Sequence, residues 1–161
     1  MRESLFRGKR KDNGEWIEGD LLHDRFIFPD EKICRIYNEE SKLTHIQDIV
    51  IPETIGQYTG LNDNTKWEKL TKEEQLEWLK NHSVEEWNGK KIFEGDIVKN
   101  SCLLGKVVYA TSQDGFDGIA GFMIDDVFDG LQNYNGFWHL VEVIGNIYDN
   151  PELLKVEEEN A

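Results

Sequence analysis

Asn88-Gly89-Lys90-Lys91-Ile92-Phe93-Glu94-Gly95-Asp96-Ile97-Val98 is the second writing of a phrase. It first occurs 75 residues earlier as Asn13-Gly14-Glu15-Trp16-Ile17-Glu18-Gly19-Asp20-Leu21-Leu22. Each copy has a turn dipeptide, an apolar pair, Glu-Gly-Asp and two aliphatics, and the second copy is one residue longer. The pattern reads as strand, bend and strand. Glycine adopts backbone conformations closed to other residues, and an aspartate beside it can accept bonds from local backbone N–H groups. Gly19 with Asp20 and Gly95 with Asp96 are therefore expected to be structural corners. Short strands joined by such corners predict a mainly all-β chain, folded as a small, strongly bent barrel or roll.

The flanking sequence supports a β fold. Residues 5–10 and 15–18 are strand-like and meet at Asn13-Gly14, the strongest short-range hairpin signal. Residues 25–28 and 33–37 read as the next pair, and 46–51 as a short strand halted by Pro52. Residues 55–61 contain Gly56 and Gly60, which suggest bends more than a clean strand. Beyond the second phrase, 105–109, 121–124 and 137–148 resume the β pattern, the last with a bend at Gly145. Pro151 is placed to open a single helical turn. The acidic tail, 155–161, is expected to fray.

Periodicity changes at Leu70. Thr71 with Glu74 forms a capping-box signature, and Ser83 with Glu86 repeats it. Leu76 and Leu79 share a helical face between polar neighbours. Residues 62–87 thus read as a helical insert in a β domain. Trp67, Leu76, Trp78, Leu79 and Trp87 are its candidate partner-binding residues. An insert outside a finished barrel buries its apolar face either on that barrel or on a partner, and both outcomes stay open here.

Composition narrows the function classes. At 39% hydrophobic and 11% aromatic residues, the chain is too apolar for intrinsic disorder. The formal net charge is −14. Residues 1–20 carry five basic and five acidic groups, residues 21–100 carry 11 and 16, and residues 101–161 carry 2 and 11. Such a field speaks against nucleic acid, anionic lipid and acidic substrates as partners. The only basic cluster, Arg7, Lys9, Arg10 and Lys11, lies near Phe6 and Trp16. It suits a charged edge strand better than a nucleic-acid site, because Glu15 and Glu18 sit on the partner strand. Cys34 and Cys102 lack metal-site spacing and are expected to be reduced thiols. With no secretory h-region at its start and no apolar run long enough to span a bilayer, the chain is expected to be soluble and cytoplasmic.

No residue is nominated as catalytic, and no metal or cofactor is expected. The Glu-Gly-Asp acids could converge on a cation from one strand face, but the turn reading is stronger. Asp114, Asp117, Asp125, Asp126 and Asp129 lack calcium-loop spacing and read as solvated hairpin ends. His23, His45, His82 and His139 form no metal-binding pair, and His139 is expected to satisfy a local hydrogen bond. P-loop, dinucleotide and nucleophile-elbow motifs are absent.

Phe6-Arg7-Gly8-Lys9-Arg10, Trp16-Ile17-Glu18-Gly19-Asp20-Leu21, Gln57-Tyr58-Thr59-Gly60-Leu61, the second phrase, and Val143-Ile144-Gly145-Asn146-Ile147-Tyr148-Asp149-Asn150-Pro151-Glu152-Leu153 occur in that order. Together they resemble the YopX family of bacteriophage and prophage proteins. The resemblance implies one SH3-like β domain over 1–154 with the tail at 155–161, and it supplies no catalytic residues. Family members pass from Thr-Gly-Leu to Gly-Lys-Lys-Ile-Phe within several residues, so the insert is a departure. The function expected is a non-enzymatic module that binds a protein partner or itself, as a homo-oligomer. The alternatives are an acidic nucleic-acid mimic that occupies a host DNA-binding protein, and a metal-dependent enzyme using the Glu-Gly-Asp carboxylates.

Overall fold

The computed structural model describes residues 5–24, 33–37, 49–110, 121–132 and 140–155. Their strands make two antiparallel sheets, with one α-helix, so the chain is mainly β. It divides into two compact units, Met1–Tyr58 and Thr59–Ala161.

The first unit begins with the expected hairpin. β1 (Phe6–Lys9) pairs antiparallel with β2 (Trp16–Asp24), in a register that sets Lys9 against Trp16. At the turn, Gly14 has φ +74°, and the Asn13 side chain accepts the Glu15 N–H at 2.9 Å. β3 (Ile33–Tyr37) pairs with β2, and β4 (Ile49–Val50) pairs with β3. On the other side, β1 pairs with the start of β5 (Gly56–Asn62), giving the order β4-β3-β2-β1-β5. Ile36 and Val50 form the buried centre, and Phe6, Ile17, Leu21 and Ile55 pack against it. Gly8 packs closely there, since a Cβ would lie 3.1 Å from Val50 Cβ. Residues 25–28 and 46–48, read as strand, lie outside the described residues.

From Gly56 on, the stretch 55–61 lies in one strand, β5, and carries the bend read at its second glycine: Gly60 has φ +84°. One expectation is corrected in these strands. The first Glu-Gly-Asp is not a corner. Gly19 and Asp20 lie inside the nine-residue β2, where Gly19 is opposite Phe6 of β1 and Asp20 is opposite Tyr37 of β3. The dipeptide marks a change of neighbour along one continuous strand.

In the second unit, β6 (Lys91–Phe93) lies beside β5. β7 (Asp96–Lys99), β8 (Leu104–Ala110), β9 (Gly121–Asp126), β10 (Gly130–Gln132) and β11 (Glu142–Asn146) form a sheet in the order β10-β9-β8-β7-β11. Ile92, Val98, Leu103, Val107, Ile124 and Val141 form its core, joined by Phe122 and Val143. Each such side chain contributes roughly 1.5–3 kcal/mol on burial. The sheet is open among the described residues, with β10 and β11 at its edges.

The second Glu-Gly-Asp is a corner. Between β6 and β7 the chain leaves the strand beside β5 and enters the five-stranded sheet. Gly95 turns it with φ +93°. Asp96 is 1% exposed and its Oδ2 accepts the Phe93 N–H at 2.8 Å. Gly95 N–H donates to Val107 O, and Gly95 O accepts from Ile147 N–H. The bend at Gly145 is present as a register shift between Val143 and Gly145. Asn150 Oδ1 would stand 2.6 Å from a Cβ at Gly145, so the following 3-10 turn, Pro151–Leu154, closes tightly on the bulge. Asp126, read as part of a solvated hairpin end, is instead buried, and its Oδ1 accepts the Phe128 N–H. Asp114, Asp117, His139 and the tail from residue 156 lie outside the described residues.

Candidate functional site

The insert is built between two chain ends that meet. After β5, Asp63 N–H donates to Lys90 O at 2.8 Å. Lys90 N–H returns a bond to Asp63 Oδ1 at 2.7 Å. The Asp63 carboxylate is 5% exposed and accepts three more bonds: from Thr65 N–H, from the Thr65 hydroxyl and, 80 residues on, from Val143 N–H. Such a buried carboxylate is stable because each lone pair meets a donor. Gly89 allows the approach, since a Cβ there would meet Asp63 O at 2.1 Å.

Between these ends run a 3-10 turn (Trp67–Lys69), α1 (Lys72–Leu79) and a second 3-10 turn (Val84–Glu86). α1 starts where the sequence places it. Thr71 Oγ1 accepts the Glu74 N–H, and Glu74 Oε1 accepts the Thr71 N–H. At the second turn, Glu86 Oε1 accepts the Ser83 N–H and hydroxyl. For Glu74, burial acts to raise the carboxyl pKa. The bonds from Thr71 and the Lys90 ammonium, 3.4 Å away, outweigh it and hold the group below its ordinary 4.5. For Glu86 the Ser83 N–H and hydroxyl lower the carboxyl in the same direction.

The five candidate residues separate into two sets. Trp67, Trp78 and Trp87 come together: Trp87 is edge-on to Trp67 at 6.1 Å and to Trp78 at 5.1 Å between ring centroids. Their polar atoms are used locally. Trp78 Nε1 donates to Ser83 O and Trp87 Nε1 to Thr65 O, both at 2.8 Å, while Gln75 Nε2 donates to Trp67 O. His82 stacks on Trp78 at 3.8 Å. The half-buried aromatic cluster therefore ties the turns of the insert to α1. Leu76 and Leu79 are not drawn into it. They stand 59% and 45% exposed on α1, a helix with no buried residue.

Arg7, Lys9 and Arg10 of the basic cluster are engaged within the fold. The guanidinium of Arg7 lies 4.7 Å, and the ammonium of Lys9 5.7 Å, from the Trp16 ring centroid. Arg10 pairs with Asp12 at 2.6 Å and approaches Glu15 at 3.9 Å. Cys102 is a free, exposed thiol. Asp96 serves its own turn, and Glu18 and Asp20 are exposed on β2. No group of three or more potential metal ligands exists among the described residues. Nor is any of their helices long and apolar enough to cross a membrane.

Asp63 and His82 were missed in the sequence. The Asp-x-Thr spacing at 63–65 and the four-residue step from Trp78 to His82 carried the local part of each signal. The bond from Val143 had no local trace.

Residues 83–155 match the family model described as YopX protein. The match is to a YopX domain and covers under half of the chain. The match bears out the resemblance seen in the Glu-Gly-Asp corner and in the Ile-Gly-Asn-Ile-Tyr stretch around the β11 bulge. The YopX stretch starts at Ser83, the cap of the insert's last turn, and runs through β11 to the 3-10 turn after it. α1, Trp67, Trp78 and the exposed leucines precede it. No match was found among curated proteins.

Proposed function

We propose that this is a non-enzymatic interaction module of phage or prophage origin, acting in the bacterial cytoplasm through its insert, with a second copy of the chain as the first partner to test. In this reading the β elements make a strongly bent, SH3-like roll that serves as the carrier. One observation supports it above the others. The three tryptophans pack on one another within the insert, yet Leu76 and Leu79, on α1 with Trp78, remain exposed. Two leucines kept exposed on a helix that does not need them for packing are what a helix-borne contact requires.

Size-exclusion chromatography with light scattering tests this on wild type and on a Leu76→Glu, Leu79→Glu double variant. The expected result is a concentration-dependent oligomer that becomes monomeric in the variant, with unchanged far-UV circular dichroism. A wild-type monomer at several hundred micromolar rules out self-association. An oligomer that the double variant leaves intact removes α1 as its interface.

A further inference from the structure

We propose that residues 63–90 form a closed clip that opens by unfolding as one cooperative unit while the five-stranded sheet stays folded, with the Asp63 carboxylate as its latch. Three observations lead to this. First, the clip's ends are bonded to each other: Asp63 N–H to Lys90 O, and Lys90 N–H to Asp63 Oδ1. Opening it as a unit leaves the chain's path through β5 and β6 intact.

Second, the clip is held together by its own contacts. The tryptophan cluster, the Trp87–Thr65, Trp78–Ser83 and Gln75–Trp67 bonds and the Glu74–Lys90 ion pair all join residues within 63–90. Third, its attachment to the segment around β11 uses the same carboxylate that closes it. Val143 N–H donates to Asp63 Oδ2 at 2.8 Å, beside a bond from Asn64 N–H to Val141 O at 2.9 Å. One side chain therefore couples closure of the clip to its docking on β11. Regions that open below the global unfolding energy are contiguous cooperative units with few buried apolar contacts, and α1 has no buried residue. A partner that binds the opened clip would shift its population by as much as it prefers that state.

Hydrogen exchange followed by mass spectrometry, on the full chain and on Asp63→Asn, tests the latch. An asparagine must turn its amide donors toward at least one N–H or hydroxyl donor, so part of the bonding is lost and opposed. In wild type, the bonded amides of 65–87 are expected to exchange as one group, faster than those of β7, β8 and β9. In Asp63→Asn that group should lose about ten- to a hundredfold protection, with the β7–β9 amides unchanged. Equal protection of clip and sheet in wild type overturns the proposal, as does a parallel loss in both. Should Asp63→Asn fail to fold, Thr65→Ala removes one hydroxyl donor and is read the same way, with a smaller shift. A monomeric wild type would leave this result standing, because opening of the clip does not depend on what the clip binds.

Discussion

Gly95 and Asp96 show how much a single residue's setting decides. At Gly95 a φ of +93° is combined with a Tyr148 ring carbon 3.2 Å from where a Cβ would sit. Gly95→Ala is expected to lose about 1–3 kcal/mol, from left-handed strain and the crowded ring. Asp96→Ala leaves the buried Phe93 N–H without its acceptor and should cost about 1–3 kcal/mol. Urea denaturation of both variants checks this. The matched variant Gly19→Ala, inside β2, should fall clearly below Gly95→Ala. The sequence makes these two glycines look equivalent, because the local tripeptide is the same. Only strand pairing separates them: β2 continues unbroken through its copy from one neighbour to the next, whereas β6 and β7 lie in different sheets. Asp63 was illegible for a related reason. Its partner Val143 comes from β11, and no local pattern announces a bond across 80 residues.

Elements were more legible than their contacts. The Asn-Gly hairpin, the capping box that opens α1, the bulge at Gly145 and the proline-led turn all stand where local chemistry puts them. Which side chains of the insert pack together was not legible, since the Leu76–Leu79 spacing competes with three tryptophans for the same contacts. The larger rings won. The caps also give α1 an acid sensitivity with a definite sign. Glu74 has its folded pKa below the ordinary 4.5, so its contribution is fully present above that value and is lost as pH falls through the lower folded value. Below about pH 4.5 the insert should therefore loosen, and near-UV circular dichroism of the tryptophan cluster should follow it. In Glu74→Gln the side chain can still accept the Thr71 N–H, but its charge and its pairing with Lys90 are gone. That variant should show a smaller change between pH 5 and pH 3 than wild type. An identical titration in both would mean that other carboxylates control the insert.

At the scale of the molecule, the β class was legible because strand alternation and turn residues are local properties. The order β10-β9-β8-β7-β11 was not, since it depends on which strands meet across long separations. The insert's place in that order carries the last prediction. Deleting residues 65–88 leaves Asp63-Asn64-Gly89-Lys90, an Asn-Gly pair between two residues that already exchange backbone bonds. Asn-Gly is the preferred dipeptide for a two-residue hairpin turn, and Gly89 already has a positive φ of +93°. The shortened chain should keep a β-type far-UV spectrum and a cooperative thermal transition. Its stability should fall by about 1–3 kcal/mol, because the Asp63 carboxylate loses both Thr65 donors while keeping those of Lys90 and Val143. If the insert is the contact surface, the same variant should be monomeric wherever wild type is not. A shortened chain that is unfolded would show that residues 65–88 are part of what holds the second unit together. A folded one that still associates would move the interface onto the β elements.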